Sequence, residues 1–147
     1  MINDSRMAIY EYLEGLFTTI TENVYLMEEP KELTDDDLSQ GFIVINVGDI
    51  VDASEFSRNA YGFVRAFVTA YIPPISRGRL NVALYSQYED AINNVVDTAT
   101  HDNNPASAFW VDEENDISAN GYVTTANNGF HTFIKSFLVM IDNQPIE

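Results

Sequence analysis

Apolar residues at Met7, Tyr10, Leu13, Phe17, Ile20 and Val24 follow one another at steps of three or four, the spacing that lines one side of an α-helix. Asp4 or Ser5 stands where an N-cap side chain is expected. From 28 to 40 the chain turns polar, EEPKELTDDDLSQ, and Pro30 interrupts any helical run, so a surface connection is expected there. Residues 42–47, FIVINV, are a short β-branched apolar run between Gly41 and Gly48, which predicts a buried strand.

Residues 61–72 alternate more plainly. Tyr61, Phe63, Phe67 and Tyr71 fall on one face with Arg65, and Val64, Ala66, Val68, Ala70 and Ile72 on the other, so both faces carry enough apolar surface to be covered. Pro73 and Pro74 remove two backbone donors and end the strand. Beyond the turn at Arg77-Gly78-Arg79, Leu84, Tyr88, Ala91 or Ile92, Val95 and Ala99 return to helical spacing, which predicts a second amphipathic helix over 81–100 with Asn81 as its cap and HDNNPA as its stop. The remainder reads as a short strand at 108–111, an extended piece at 122–125 and a long strand at 129–141, with a turn at DEENDISANG and a bend or bulge at Asn127-Asn128-Gly129. In the last strand Phe133, Phe137, Val139 and Ile141 share one face, and Phe130, Ile134, Leu138 and Met140 the other. The expected order is α-β-β-α-β-β: an α+β fold in one domain, 1–147, with a mostly antiparallel sheet and two helices on one face.

Composition sharpens this picture. The 147 residues are 46% hydrophobic and 12% aromatic, enough to fill the core of a single domain and to exclude disorder for most of the chain. No apolar run nears the ~20 residues needed to cross a bilayer, and the N-terminal residues lack the pattern of a secretory signal. Seven Lys and Arg stand against 23 Asp and Glu, a formal net charge of −16, which opposes general affinity for phosphate backbones. Such a charge suits a surface that lies beside DNA without holding it.

The search for chemistry is mostly negative. With no cysteine there is no thiolate ligand, cysteine nucleophile or disulfide. His101 and His131 are 30 residues apart with no zinc spacing; His131 is expected to be a partly buried strand residue, and His101 a helix-end cation. The glycines are dispersed and no phosphate-binding loop or nucleophile elbow occurs. Two acidic clusters stand out: Asp35-Asp36-Asp37, and Asp112, Glu114 and Asp116 in a turn. The second alternates as calcium ligands do, but Ile117 replaces the turn glycine and Val123 the bidentate glutamate, so both clusters are expected to be solvated turns. Among the few cations, Arg65 projects from the aromatic face of its strand, and Arg77 and Arg79 flank Gly78 after the prolines. These three are the residues expected at a contact with an acidic neighbour, a second copy included.

The order and lengths of these elements resemble the tail-terminator and head-to-tail joining proteins of tailed phages, small α+β subunits that assemble into rings. The likeness runs through most of the chain: a helix near 10–20, the strand FIVINV, the long strand ending in YIPP, the helix through Tyr88 and Val95, and the final strand FHTFIKSFLVMID. It lies in element order and acidity and transfers no catalytic residue. Residues 48–59 are similar to the loop or hairpin with which such subunits reach a neighbour, though they also suit a continuation of the sheet.

The resemblance implies a structural virion protein at the head-to-tail junction or tail end. It would form a homo-oligomeric ring that meets portal, connector or tail-tube proteins while DNA passes without specific binding. Asp35, Asp36, Asp37, Asp112, Glu114 and Asp116 are then expected to line the lumen and repel DNA. Neither an enzyme activity, a cofactor, a metal nor a membrane is expected. The alternative is an acidic inhibitor that mimics a phosphate backbone and binds a basic enzyme. Its mark is carboxylates spaced evenly along helices or strands, whereas here they cluster in turns.

Overall fold

The computed structural model describes residues 2–49, 51–52, 60–100, 103, 108–112, 124–125 and 129–142. Its elements run α1 (Ile2–Phe17), β1 (Val24–Leu26), α2 (Asp35–Gln40), β2 (Phe42–Val47), β3 (Val51–Asp52), β4 (Ala60–Ile72), a 3₁₀ turn (Ser76–Gly78), α3 (Val82–Thr98), β5 (Phe109–Asp112), β6 (Thr124–Thr125) and β7 (His131–Asp142). Among the described residues seven strands form one sheet, in the order β1-β2-β4-β7-β5, with β3 pairing with β4 and β6 with β7 off that path. Only the β1–β2 pair is parallel. β3 pairs with β4 beyond the end of β2: Val47 lies opposite Ala66 and Val51 opposite Phe63. Val51 and Asp52 thus continue the sheet, with the Gly48 N–H donating to the Arg65 carbonyl at 2.9 Å, while 50 and 53–59 lie outside the described residues.

Strand alternation places the core. Val64, Ala66, Val68, Ala70 and Ile72 of β4 are fully buried, and they share a face with Ile43, Ile45 and Val47 of β2 and Phe133, Phe137 and Val139 of β7. Each alanine sits opposite a ring, Ala66 beside Phe137 and Ala70 beside Phe133, so small and large residues interdigitate. Onto those rings α1 lowers Phe17, 6.2 Å from Phe137, and α3 lowers Tyr85, edge-on at 5.7 Å to Phe133. Each fully buried ring contributes about 1.5–3 kcal/mol relative to an exposed one. The α+β arrangement with two helices on one face of a mostly antiparallel sheet is thus the observed one, with α2 and three short strands added to the expected order.

The differences have local causes. α1 stops at Phe17, where Thr18 and Thr19 turn their hydroxyls back to the carbonyls of Gly15 and Leu16, so Ile20 and Val24 leave the helix and Val24 opens β1. Asp4 and Ser5 fall at positions within the helix, which begins at Ile2; Met7 is 52% exposed, and the buried stripe is Ile9, Tyr10, Leu13 and Phe17. α2 forms within the expected connection because Thr34 and Asp37 make a reciprocal capping box, each side chain accepting from the other's backbone N–H. Asn81 caps α3 as expected, accepting from the Leu84 N–H at 3.2 Å, and the helix ends at Thr98.

Two side chains of α1 close an edge that β1 is too short to cover. The Val47 N–H donates to the Tyr10 hydroxyl at 3.1 Å, and the Val47 carbonyl accepts from the Arg6 guanidinium at 2.8 Å. At the other edge the Val111 N–H donates to the Ala99 carbonyl at 2.7 Å, which pins β5 to the end of α3.

Candidate functional site

The sheet face opposite α1 and α3 carries two aromatic clusters. At one end Phe42, Val44 and Phe130 are buried with Tyr25, Leu33 and Tyr71 against them, Phe42 stacking on Tyr71 at 4.6 Å. At the other, Trp110 and Met140 pack with Phe63 and Leu138. Between the clusters Asn46 and Arg65 are exposed, and Phe67 is 37% exposed. This face, expected to be covered, leaves a guanidinium and a phenyl ring at the surface in the middle of the sheet.

The arginines grouped in the sequence do not form one site. Arg65 lies seven residues before the end of β4, roughly 23 Å along the strand from Ile72. Arg77 and Arg79 are exposed on the turn that follows. That turn is closed by three backbone bonds, among them Ile75 N–H to the Arg79 carbonyl at 2.8 Å, and Arg77 is left-handed at φ 64, ψ 25.

The acidic triad also divides. Asp35 and Asp36 are exposed, but Asp37 is fully buried, and its carboxylate accepts from the Tyr25 hydroxyl at 2.8 and 3.0 Å and from the Thr34 N–H at 3.0 Å. Asp37 is therefore a capping and core residue rather than a lumen carboxylate, because burial of its charge is compensated only by those inward bonds. Burial pushes the Tyr25 hydroxyl pKa up, and the bond to Asp37 and the nearby negative charges push it the same way. Asp112 is exposed at the end of β5; Glu114 and Asp116 lie outside the described residues, as do His101 and most of the calcium-like turn.

A groove of about 570 Å³ opens between the end of α1, α2 and α3. Ile20, Leu84, Ala91 and Val95 give it apolar lining, and Glu22, Asp36, Gln40, Gln87, Tyr88 and Asn94 polar lining, with no Lys or Arg among the residues that form it. Its polar residues are fixed in place: the Tyr88 hydroxyl donates to the Gln40 carbonyl at 2.9 Å, and Asn23 Nδ2 donates to Asp36 Oδ2 at 2.9 Å. Burial pushes the Tyr88 pKa up; a bond to Thr21 works against it, and the charges of Asp36 and Asp37 add to it. No sequence signal announces this groove, because its residues come from three separate stretches of otherwise ordinary text.

His131 is buried at the start of β7 on the helix side, beside Ile72, and its Nδ1 has no hydrogen-bond partner among the described residues. Among the described residues no three carboxylates or imidazoles gather as a metal site, and no helix is long and apolar enough to cross a membrane. No protein-family model matches the chain, and no curated protein matches it either.

Proposed function

We propose that the chain is a structural virion protein of a tailed bacteriophage, one subunit of a ring at the head-to-tail junction or tail end. Its neighbours are portal, connector or tail-tube proteins, and DNA passes without being bound. The observation that carries this reading is the sheet face opposite the helices. An antiparallel sheet is stable with one face solvated, yet this one sets Arg65 and Phe67 at the surface between two aromatic clusters, the residue types enriched at protein contacts.

Charge supports the second half of the reading. A subunit at −16 does not condense on phosphates, and Asp35 and Asp112 are exposed carboxylates suited to a channel wall, with Glu114 and Asp116 proposed for the same wall, whereas Asp36 lines the groove beside α3. Screening limits their reach to ~8 Å at physiological salt, so only carboxylates at the wall act on DNA.

The test is assembly of Arg65→Glu with Phe67→Asp in one chain, compared with the unaltered protein by analytical ultracentrifugation. The expected result is a ring for the unaltered chain and a folded monomer, by circular dichroism, for the variant. A variant that assembles as well as the unaltered chain removes the sheet face from the contact, and purified virions that lack the protein remove the viral reading.

A further inference from the structure

The turn between β4 and α3 and the groove beside α3 match one another in chemistry. The turn presents two exposed arginines, Arg77 and Arg79, flanked by two exposed apolar residues, Ile75 at 43% and Val82 at 64%. Arg79 commits one donor to the Ser76 carbonyl at 3.4 Å, inside the turn, and no carboxylate pairs with either arginine among the described residues. Arg77 is held in the left-handed region, which costs a residue with a side chain roughly 1–2 kcal/mol.

The groove presents the opposite set. Its apolar lining suits aliphatic side chains, and Glu22 and Asp36 bring two carboxylates with no cation beside them. The residues 19–22 that line it follow the C-terminus of α1, the negative pole of that helix, and α1 has no basic residue in its last turn to offset it. In a chain with 23 acidic and seven basic residues, an exposed pair of arginines between two exposed aliphatics is the scarce element, and the groove is a cleft whose lining accepts both parts.

We propose that the Ile75–Val82 turn of one copy docks in the α1–α2–α3 groove of a second copy of this chain, with Arg77 and Arg79 meeting Glu22 and Asp36, and Ile75 and Val82 meeting the apolar lining. The inference rests on the ring reading, for which it names a contact. Made once between successive copies, a turn-to-groove contact is heterologous, the kind that repeats around a ring and closes it.

The test uses exposed positions that leave the core untouched. One chain carries Arg77→Glu and Arg79→Glu, a second carries Glu22→Arg and Asp36→Arg, and a third carries all four changes. Sedimentation equilibrium measures association of each beside the unaltered chain, with thermal melting as the control for folding. The expected result is association weakened at least 100-fold in each double variant and restored to within tenfold in the fourfold chain, where the charges are exchanged. A turn variant that still forms rings, or a fourfold chain that stays monomeric, overturns the docking and leaves the ring reading standing. Closed dimers that depend on the turn keep the docking and remove the ring. An unaltered chain that is monomeric at every concentration removes both.

Discussion

Asp37 shows how much one buried carboxylate holds in place. It caps α2 through Thr34 and takes the Tyr25 hydroxyl from β1, so a six-residue helix and a three-residue strand, each too short to persist alone, are fastened to one another. Asp37→Ala leaves both donors without a partner and is expected to lower unfolding free energy by about 2–3 kcal/mol in urea titration, with Tyr25→Phe costing about 1 kcal/mol. A loss below about 0.5 kcal/mol for Asp37→Ala contradicts this account.

Tyr12 gives a pH dependence of definite sign. Burial against its neighbours, Phe109 at 5.5 Å among them, pushes its pKa from 10.0 up to about 12. The unfolded chain loses that proton first, so the contribution is intact below pH 10, declines above it, and is gone past about 12. Alkaline unfolding followed by near-ultraviolet circular dichroism is expected to be less steep between those values for Tyr12→Phe, and identical profiles contradict the assignment. The Thr34-x-x-Asp37 capping box lies in text read as a surface connection, and within three consecutive aspartates nothing distinguishes the buried one from the two exposed ones.

At the level of elements, Gly41 controls how α2 passes into β2. It has φ 82, and a Cβ there falls 2.5 Å from the Tyr71 carbonyl and 3.3 Å from Pro73 and Tyr88. Gly41→Ala combines a backbone conformation that side chains resist with a collision against backbone, and is expected to cost at least about 2 kcal/mol, or about 4–8 °C in melting temperature for a domain of this size. A melting temperature within 1 °C of the unaltered chain contradicts it. β4, β7 and α3 were legible because each carries a long, regular alternation or helical stripe. β1 was not, since three residues hold no period, and Ile20 and Val24 fit a helical spacing they do not use. The limit of α1 is set by threonine hydroxyls and by the pull of Val24 into a parallel pair with Ile43, and the second is a tertiary contact invisible to local reading.

The whole molecule has one face sealed by two helices and another that presents Arg65 and Phe67, and beyond the sheet an acidic groove and an exposed arginine turn. The aromatic face of β4 and the exposed arginines were visible in the alternation of residues 61–72 and in the text after Pro74. The groove was not, because it exists only once α1, α2 and α3 converge. Its net charge of −16 makes self-association depend on placing the few cations against carboxylates, so raising salt from 0.1 to 1 M, which shortens the Debye length from about 10 to 3 Å, is expected to loosen an assembly held through Arg77 and Arg79. Salt-independent association contradicts an electrostatic contact.

The central claim is that this chain closes on itself as a ring. Mass measurement by light scattering across a concentration series, followed by negative-stain imaging of the same fractions, tests it most directly. The account predicts a single discrete multiple of the subunit mass and annular particles of one diameter with an open centre. A strict monomer at every concentration contradicts it.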